Sequence, residues 1–427
     1  MVTVLFVGCV LLLALGVPVA FALGGATLAA MWSGNVPLVA LPKYLFSGID
    51  LFALEAVPFF ILTAELMTGG ELSAVLLRFA SQFVGRFRGG MGHTNILTLT
   101  FFSGISGSAL ADAAGPGAIM IRMMRDDGYE PEYAAALTAA TSILGPIIPP
   151  SISVIIYALA YPDVNLVGLL IAGVVPGILI AIAMASINHV VSVRRNYRGS
   201  RERLHWRDYA RNTWRALPAL VLPVLILGGI ASGAFTPTEA SVVAVFYALF
   251  AGRVVYRTLE WRMLPGILAR SALMTASVLI IVGMSAAFAW VLTVSRVPQG
   301  LTEWIVAMQL SPLAFLFAVN LLLLVFGIFI EPLPGIVVLA PILAPIAHAL
   351  GINDLQFGIV MIVNLTMGMI TPPVGGLLFV TSIVAKVPLA RLVRELWPFL
   401  WAQLGVLALL SLFPALSAWM PGAFGYR

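Results

Sequence analysis

Charge is scarce in this sequence. Lys, Arg, Asp and Glu together make up 10% of the 427 residues, against 61% hydrophobic residues. Soluble domains carry roughly 25% charge, so a water-soluble globular fold is excluded. Cysteine is nearly absent too. Cys9 stands alone, which excludes a disulfide framework and a cysteine-based metal site. The four histidines, His93, His189, His205 and His348, are too widely spaced to form a ligand pattern. No Gly-x-x-x-x-Gly-Lys-Ser/Thr loop occurs, so ATP has no phosphate cradle. The polar–apolar alternation of a transmembrane β-barrel is missing as well.

What remains is a succession of long apolar runs, from 2–31 at the start to 397–420 near the end, with no soluble domain between them. At roughly 20 apolar residues per span, the chain has room for about ten to fourteen membrane segments. The opening run lacks a positive n-region and is too long for a signal h-region, although Ala20-Phe21-Ala22 could mimic a cleavage site. It reads as a retained first transmembrane helix. The net charge of +5 is unevenly placed. Residues 194–211 hold seven Arg against Glu202 and Asp208, and Arg253, Arg257, Arg262 and Arg270 follow. The positive-inside rule places these in the cytoplasm. Nucleic acid is not indicated, because the Arg lie in short loops between apolar spans rather than in a folded basic domain.

The most polar stretch, 192–215, divides the chain into a first membrane half, 1–191, and a second, 216–427. The two halves echo each other. Gly145-Pro146-Ile147-Ile148-Pro149-Pro150 matches Gly368-Met369-Ile370-Thr371-Pro372-Pro373. Upstream of the first lies Phe102-Ser103-Gly104-Ile105-Ser106-Gly107-Ser108, with Asp112 and Gly115-Pro116-Gly117 behind it. Upstream of the second lies Phe326 to Gly335, including Glu331 and Pro332. Paired prolines remove two donors and obstruct the preceding turn. The carbonyls so released must find protein, water or a cation. Interrupted helices at matching positions of two repeats point to a transporter's central site. Hairpins are expected at about 94–121 and 327–350, re-entrant in the membrane, and broken helices at about 133–160 and 355–384.

Released carbonyls beside small hydroxyls favour a hard monovalent cation, and Na⁺ is the natural choice. A first site is expected from Ser103 and Ser106 with the carbonyls of Gly145, Ile148 and Pro150. A second is expected from Gly327, Ile330, Gly368, Thr371 and Pro373. Acids in apolar surroundings default to functional hypotheses. Asp112 and Glu331 lie in the hairpins and stand open between structural and substrate-binding roles. Glu55 and Glu65 read as structural pairs or helix-end residues. Glu239 in Thr236-Pro237-Thr238-Glu239 reads as helix-capping chemistry. Ser108 joins the substrate set. Arg122 and Arg125 read as a solvated loop, with a second reading of Arg125 as a cation awaiting an anionic solute. Thr381 and Ser382 could face the same cavity.

Two other function classes have some footing in the sequence. Gly104-Ile105-Ser106-Gly107 matches the Gly-x-Ser-Gly of rhomboid-type intramembrane proteases, in which Ser106 would need a nearby His base. That reading leaves the duplicated Pro-Pro breaks unexplained. An ion channel would show flux without saturation or coupling.

At these residues the sequence resembles the large membrane subunit of the tripartite ATP-independent periplasmic (TRAP) transporters. The likeness extends over essentially the whole chain. It includes Pro58 to Leu62, Ser103 to Gly117, Gly128-Tyr129, Gly145 to Ser151 with Tyr157, and Thr236 to Ala240. Further matches are Gly327 to Pro334, Phe357-Gly358, Thr371 to Gly375, Leu378-Phe379-Val380 and Trp397-Pro398-Phe399. The resemblance implies an all-α polytopic protein of a bacterial inner membrane, with inverted repeats and an elevator mechanism driven by two or more Na⁺. It implies a periplasmic solute-binding protein that delivers a small organic acid anion. It also implies a small four-helix membrane subunit, expected here as a separate polypeptide. The family's Na⁺ positions map onto the residues named above. Two positions depart from the pattern: Gly376-Leu377 stands where many members have a pair ending in Asn, and Glu331 where many have Asp.

Overall fold

In a computed structural model describing residues 1–68, 72–199, 205–373 and 375–426, the chain is helical, with no β-strand among the described residues. Residues 200–204 of the Arg-rich connector and Val374 of the second break lie outside them. The order opens with α1 (Val2–Ala14), α2 (Val19–Ser33), α3 (Ala40–Ile49), α4 (Ala56–Thr68) and α5 (Leu72–Val84). A hairpin follows, built from α6 (Gly90–Ser106), α7 (Ala109–Ala114) and α8 (Pro116–Asp126). An interrupted helix comes next, α9 (Pro131–Ser142) and α10 (Ile152–Ala160), then α11 (Leu166–Ala172) and α12 (Val174–Arg194). After the connector run α13 (Trp206–Ala231), α14 (Pro237–Phe250), α15 (Leu264–Val294) and α16 (Val297–Ala307). The second hairpin is α17 (Pro312–Phe329) with α18 (Pro332–Ala349), and the second interrupted helix is α19 (Asp354–Gly368) with α20 (Gly376–Ala385). The chain closes with α21 (Leu389–Leu412) and α22 (Ala415–Ala423).

The opening run is not one helix, as the sequence suggested, but two. Gly16 takes φ +80°, a conformation glycine adopts without strain, and Pro18 cannot donate to a continuing helix. The two pieces, α1 and α2, pack against each other. Breaks of this kind also divide other apolar runs. Seven helical segments among the described residues are long and apolar enough to cross a membrane. Several other apolar runs are divided into shorter helices. Near α14 the sequence reading holds: Thr236 Oγ1 accepts from the Glu239 amide at 3.2 Å, and Glu239 Oε2 accepts from the Thr236 amide at 2.8 Å. Both lie at the exposed start of that helix, a reciprocal cap.

Packing gathers the helices into two groups. In one, α4 lies against α14 and α15, α2 and α3 lie against α15, and α1 covers α2. In the other, α6 and α21 flank α9, while α17 and α18 flank α19. The interrupted helices sit deepest. Residues from Tyr133 to Ser142 in α9 and from Leu355 to Gly368 in α19 are all buried, as expected of helices apolar on every side. Alanines at 134–136, 139 and 140 let neighbours approach α9 closely. A buried amide ties each hairpin to its interrupted helix. Asn95 of α6 donates to Thr138 Oγ1 of α9 at 2.7 Å. Asn364 of α19 donates to the Asn320 carbonyl and side-chain oxygen of α17 at 2.9 and 3.0 Å.

Candidate functional site

The two breaks are built alike. In the first, Leu144, Gly145 and Ile147 bond to carbonyls three residues back, a tighter turn than the α-helix. Pro149 and Pro150 then end the helix, and Ser151 restarts it by accepting from the Val154 amide at 3.3 Å. In the second, Met369, Ile370 and Thr371 also take partners three residues back. Pro149-Pro150 and Pro372-Pro373 are both cis.

Each break opens with a glycine pressed onto the turn of its paired hairpin. A Cβ on Gly145 would lie 2.8 Å from the Ser108 carbonyl carbon and 2.9 Å from Asp112 Oδ2. A Cβ on Gly368 would run into the backbone of Gly327, whose own Cβ position faces Gly368 and the Leu365 carbonyl. The sequence expectations Gly145, Gly327 and Gly368 therefore fall at two backbone contacts. Ile148, Pro150, Ile330 and Pro373 lie in the same turns.

Side chains distinguish the two. Around the first break, Ser103, Ser106 and Asp112 are buried together. Ser106 donates to Asp112 Oδ1. Ser103 Oγ lies 3.1 Å from Asp112 Oδ2 and 2.7 Å from the Leu99 carbonyl. Its single proton can serve only one of these at a time. Among the described residues no basic side chain pairs with Asp112. A buried carboxylate without a counter-charge is costly. Hydroxyls and a carboxylate make an oxygen-only donor set, which suits a hard cation. Asp112, open between roles in the sequence, thus sits with Ser103 and Ser106, the hydroxyls expected of the first ion site. Around the second break Thr371 donates to the Met367 carbonyl at 2.9 Å, and its oxygen keeps acceptor capacity.

Between the hairpins lies a cavity of about 510 Å³. Its wall includes Ser108, Ser153, Ser277, Glu331, Met274 and Met369. The N-terminal turns of α10 (Ile152, Ser153) and α18 (Pro332, Leu333) reach it. An adjoining pocket of about 330 Å³ shares Ile61, Glu65, Ser108, Ala111, Ile152 and Met274, and adds Arg270 and Ser106. Arg270 pairs with Glu65 at 2.9 Å. In the sequence Arg270 ranks with the cytoplasmic arginines, and Ser153 and Ser277 are not among the expected site residues. Ser153 closely follows the Pro-Pro pair, a signal that could have found it. Nothing in the sequence brings Ser277 or Arg270 to the hairpins, because that contact is made by α15 across the chain.

Three expected substrate residues are placed elsewhere. Arg125 is exposed at the end of α8, outside both pockets. Thr381 is buried, with its hydroxyl bonded to the Leu377 carbonyl at 2.9 Å. Ser382 bonds to the Val387 carbonyl at 2.7 Å. The histidines are not brought to Ser106: His93 faces His189 at 6.1 Å between ring centroids, and His348 pairs with Asp354 at 3.1 Å.

Comparison with known proteins agrees with this architecture. Residues 6–416 match the family model "Tripartite ATP-independent periplasmic transporter, DctM component". The chain is 39% identical over 417 residues to the sialic acid TRAP transporter large permease protein SiaM of Vibrio cholerae, covering 97% of each chain. It is 39% identical over 381 residues to the C4-dicarboxylate TRAP transporter large permease protein DctM of Pseudomonas aeruginosa, covering 89% of each. Among solved structures, the YdaH transporter of Alcanivorax borkumensis superposes with a TM-score of 0.64 at 16% identity, covering 88% of this chain and 87% of that one, a likeness of fold. These relatives are permeases, not enzymes, and the protease reading of Ser106 is set aside. With a full-length family match joined to paired breaks around a central cavity, this multi-pass membrane protein belongs to the TRAP transporter family as a large permease, the DctM component.

Proposed function

We propose that this protein is the membrane-embedded pathway of a secondary transporter that takes up a small organic acid anion together with Na⁺. The observation that carries the reading is the cavity between the hairpins. The N-terminal turns of α10 and α18 end at it, and helix N-termini carry partial positive charge. Arg270 lines the adjoining pocket, so Arg270 rather than Arg125 supplies the solute's counter-charge. On this reading a solute carboxylate engages the guanidinium now held by Glu65. The relatives named for sialic acid and C4-dicarboxylates support a carboxylate as solute. Asp112 with Ser103 and Ser106 serves the first Na⁺, and the oxygens near Gly327, Gly368 and Thr371 serve the second.

The family supports two partners, a periplasmic solute-binding protein and a small membrane subunit, in a bacterial inner membrane. The first hairpin enters from the arginine-rich side, where Arg86, Arg88, Arg122 and Arg125 cluster at its ends. The second enters from the opposite face, near Asp354. The hairpins and interrupted helices move as one body past α1–α4 and α13–α15, an elevator cycle that needs no ATP.

Reconstitution in liposomes with the partner subunit and binding protein tests this. Uptake of labelled succinate or sialic acid should require an inward Na⁺ gradient and proceed without ATP. Uptake that ignores Na⁺ would sink the coupling. Arg270→Gln should raise the solute concentration for half-maximal uptake about tenfold, as for loss of a charged hydrogen bond, and leave Na⁺ dependence unchanged. If Na⁺ dependence shifts instead, Arg270 does not serve the solute.

A further inference from the structure

We propose that the pocket between α5 and the first turns of α13 is a binding site for the head group of an anionic phospholipid. The pocket, about 430 Å³, is lined by Arg78, Arg86, Arg211 and Arg215, with Gln82 and Asp208. Arg211 pairs with Asp208 at 3.1 Å. The other three arginines have no acidic partner among the described residues. Four cations against one carboxylate, from α5, the turn after it and α13, call for an anion.

The surroundings say which anion. One face of α5 is buried through Leu76, Leu77, Phe79 and Ala80, while Arg78 and Phe83 are exposed. Such a helix suits an interface between lipid and water. Phe79 packs on Phe83 and Phe101 at 5.1 and 5.6 Å between ring centroids. The Tyr256 hydroxyl donates to the Arg215 carbonyl at 2.9 Å. α5 and α13 also pack directly on each other, which brings arginines of both helices to one pocket. On other faces of α13, Trp206 and Trp214 are 76% and 77% exposed, as aromatic residues are at a membrane boundary. A lipid head group is the anion that such a boundary supplies. Arginine pockets between helices on the cytoplasmic side are suited to acidic head groups.

At the pocket wall Gln82 is 3% exposed. Its Nε2 donates to Thr213 Oγ1 at 3.0 Å, while its Oε1 is buried with no hydrogen-bond partner. Phosphatidylglycerol, an abundant anionic lipid type with one phosphodiester, is the occupant we assign. The phosphodiester meets the arginines.

The test uses the full chain, purified in detergent, delipidated and titrated with dioleoyl-phosphatidylglycerol or dioleoyl-phosphatidylcholine under native mass spectrometry. The glycerol lipid should bind at least about tenfold more tightly, as expected where several arginines act together. The pair Arg78→Gln/Arg215→Gln should erase that preference, Arg78→Lys/Arg215→Lys should keep most of it, and Arg262→Gln/Arg394→Gln should leave it intact. Should the glutamine pair fail to fold, a photoactivatable phosphatidylglycerol added to unaltered protein decides the matter. Crosslinks within 72–86 and 206–216 support the site, and crosslinks confined elsewhere overturn it. Equal binding of the two lipids overturns the proposal. So does protection of the wild type by millimolar inorganic phosphate alone, which marks a soluble anion site. Crosslinking of a co-purified acidic protein segment to these arginines, with no lipid bound, marks a partner's site and overturns it too.

Discussion

The break at Gly145–Pro150 and the break at Gly368–Pro373 share a backbone plan but not an electrostatic one. In both, a glycine meets the turn of its hairpin and the helix tightens to i−3 bonds before two prolines end it. Only the first has a buried carboxylate, Asp112, held by Ser103 and Ser106. Among the described residues the second offers the Thr371 hydroxyl and main-chain oxygens, with Glu331 between α17 and α18 exposed rather than buried. On the proposed reading, a cation leaving the first break would expose a buried negative charge, and one leaving the second only dipoles. The proposal thus gives two ion sites of unequal strength.

That inequality can be broken from either side. The largest expected effect comes from Asp112→Asn, which removes the charge and keeps the shape. Loss of a charge-assisted contact should raise the Na⁺ concentration for half-maximal uptake roughly tenfold to a hundredfold. Sodium titrations of uptake in proteoliposomes would measure it, and an unchanged curve would make Asp112 a structural residue. Next comes Gly368→Ala. The added methyl has only Gly327 backbone to displace, so overpacking should cost about 1–3 kcal/mol. Thermal unfolding in detergent should register this as a clear drop in midpoint. No drop would show that the α17 contact yields easily. Smallest is Thr371→Val, which removes one neutral oxygen and should shift Na⁺ half-saturation by about two- to tenfold. Ser103→Ala should shift it further, because Ser103 also orients Asp112. Equal shifts for the two substitutions would erase the proposed difference between the sites.

Much of the fold was legible because breaks in lipid have few causes. Adjacent prolines and Gly/Ser clusters marked the first hairpin and both interrupted helices within a few residues, whereas the expected hairpin at 327–350 covers only the end of α17 and the single helix α18, because the apolar α17 gives no break of its own. The Thr236–Glu239 cap was legible because it depends on residues three apart. The opening helix pair was not, since Gly16 and Pro18 lie inside an unbroken apolar run and hydropathy alone does not register a turn. The substrate side was the least legible. Thr381 and Ser382 look polar and central in the sequence, yet both spend their hydroxyls on nearby carbonyls. Arg270 looks like one more loop arginine, yet lies six residues into α15 and faces Glu65.

Composition and proline spacing by themselves determined a multi-pass helical chain with two interrupted repeats, because a bilayer tolerates unpaired backbone only where something else satisfies it. Which groups share a site was decided only by tertiary structure. The meeting of Asp112 with two serines turns on how α6 and α7 fold back. The placing of Arg270 beside Ser108, and of four arginines around Gln82, depends on contacts between helices far apart in the chain. Such contacts are set by packing, which local periodicity does not encode.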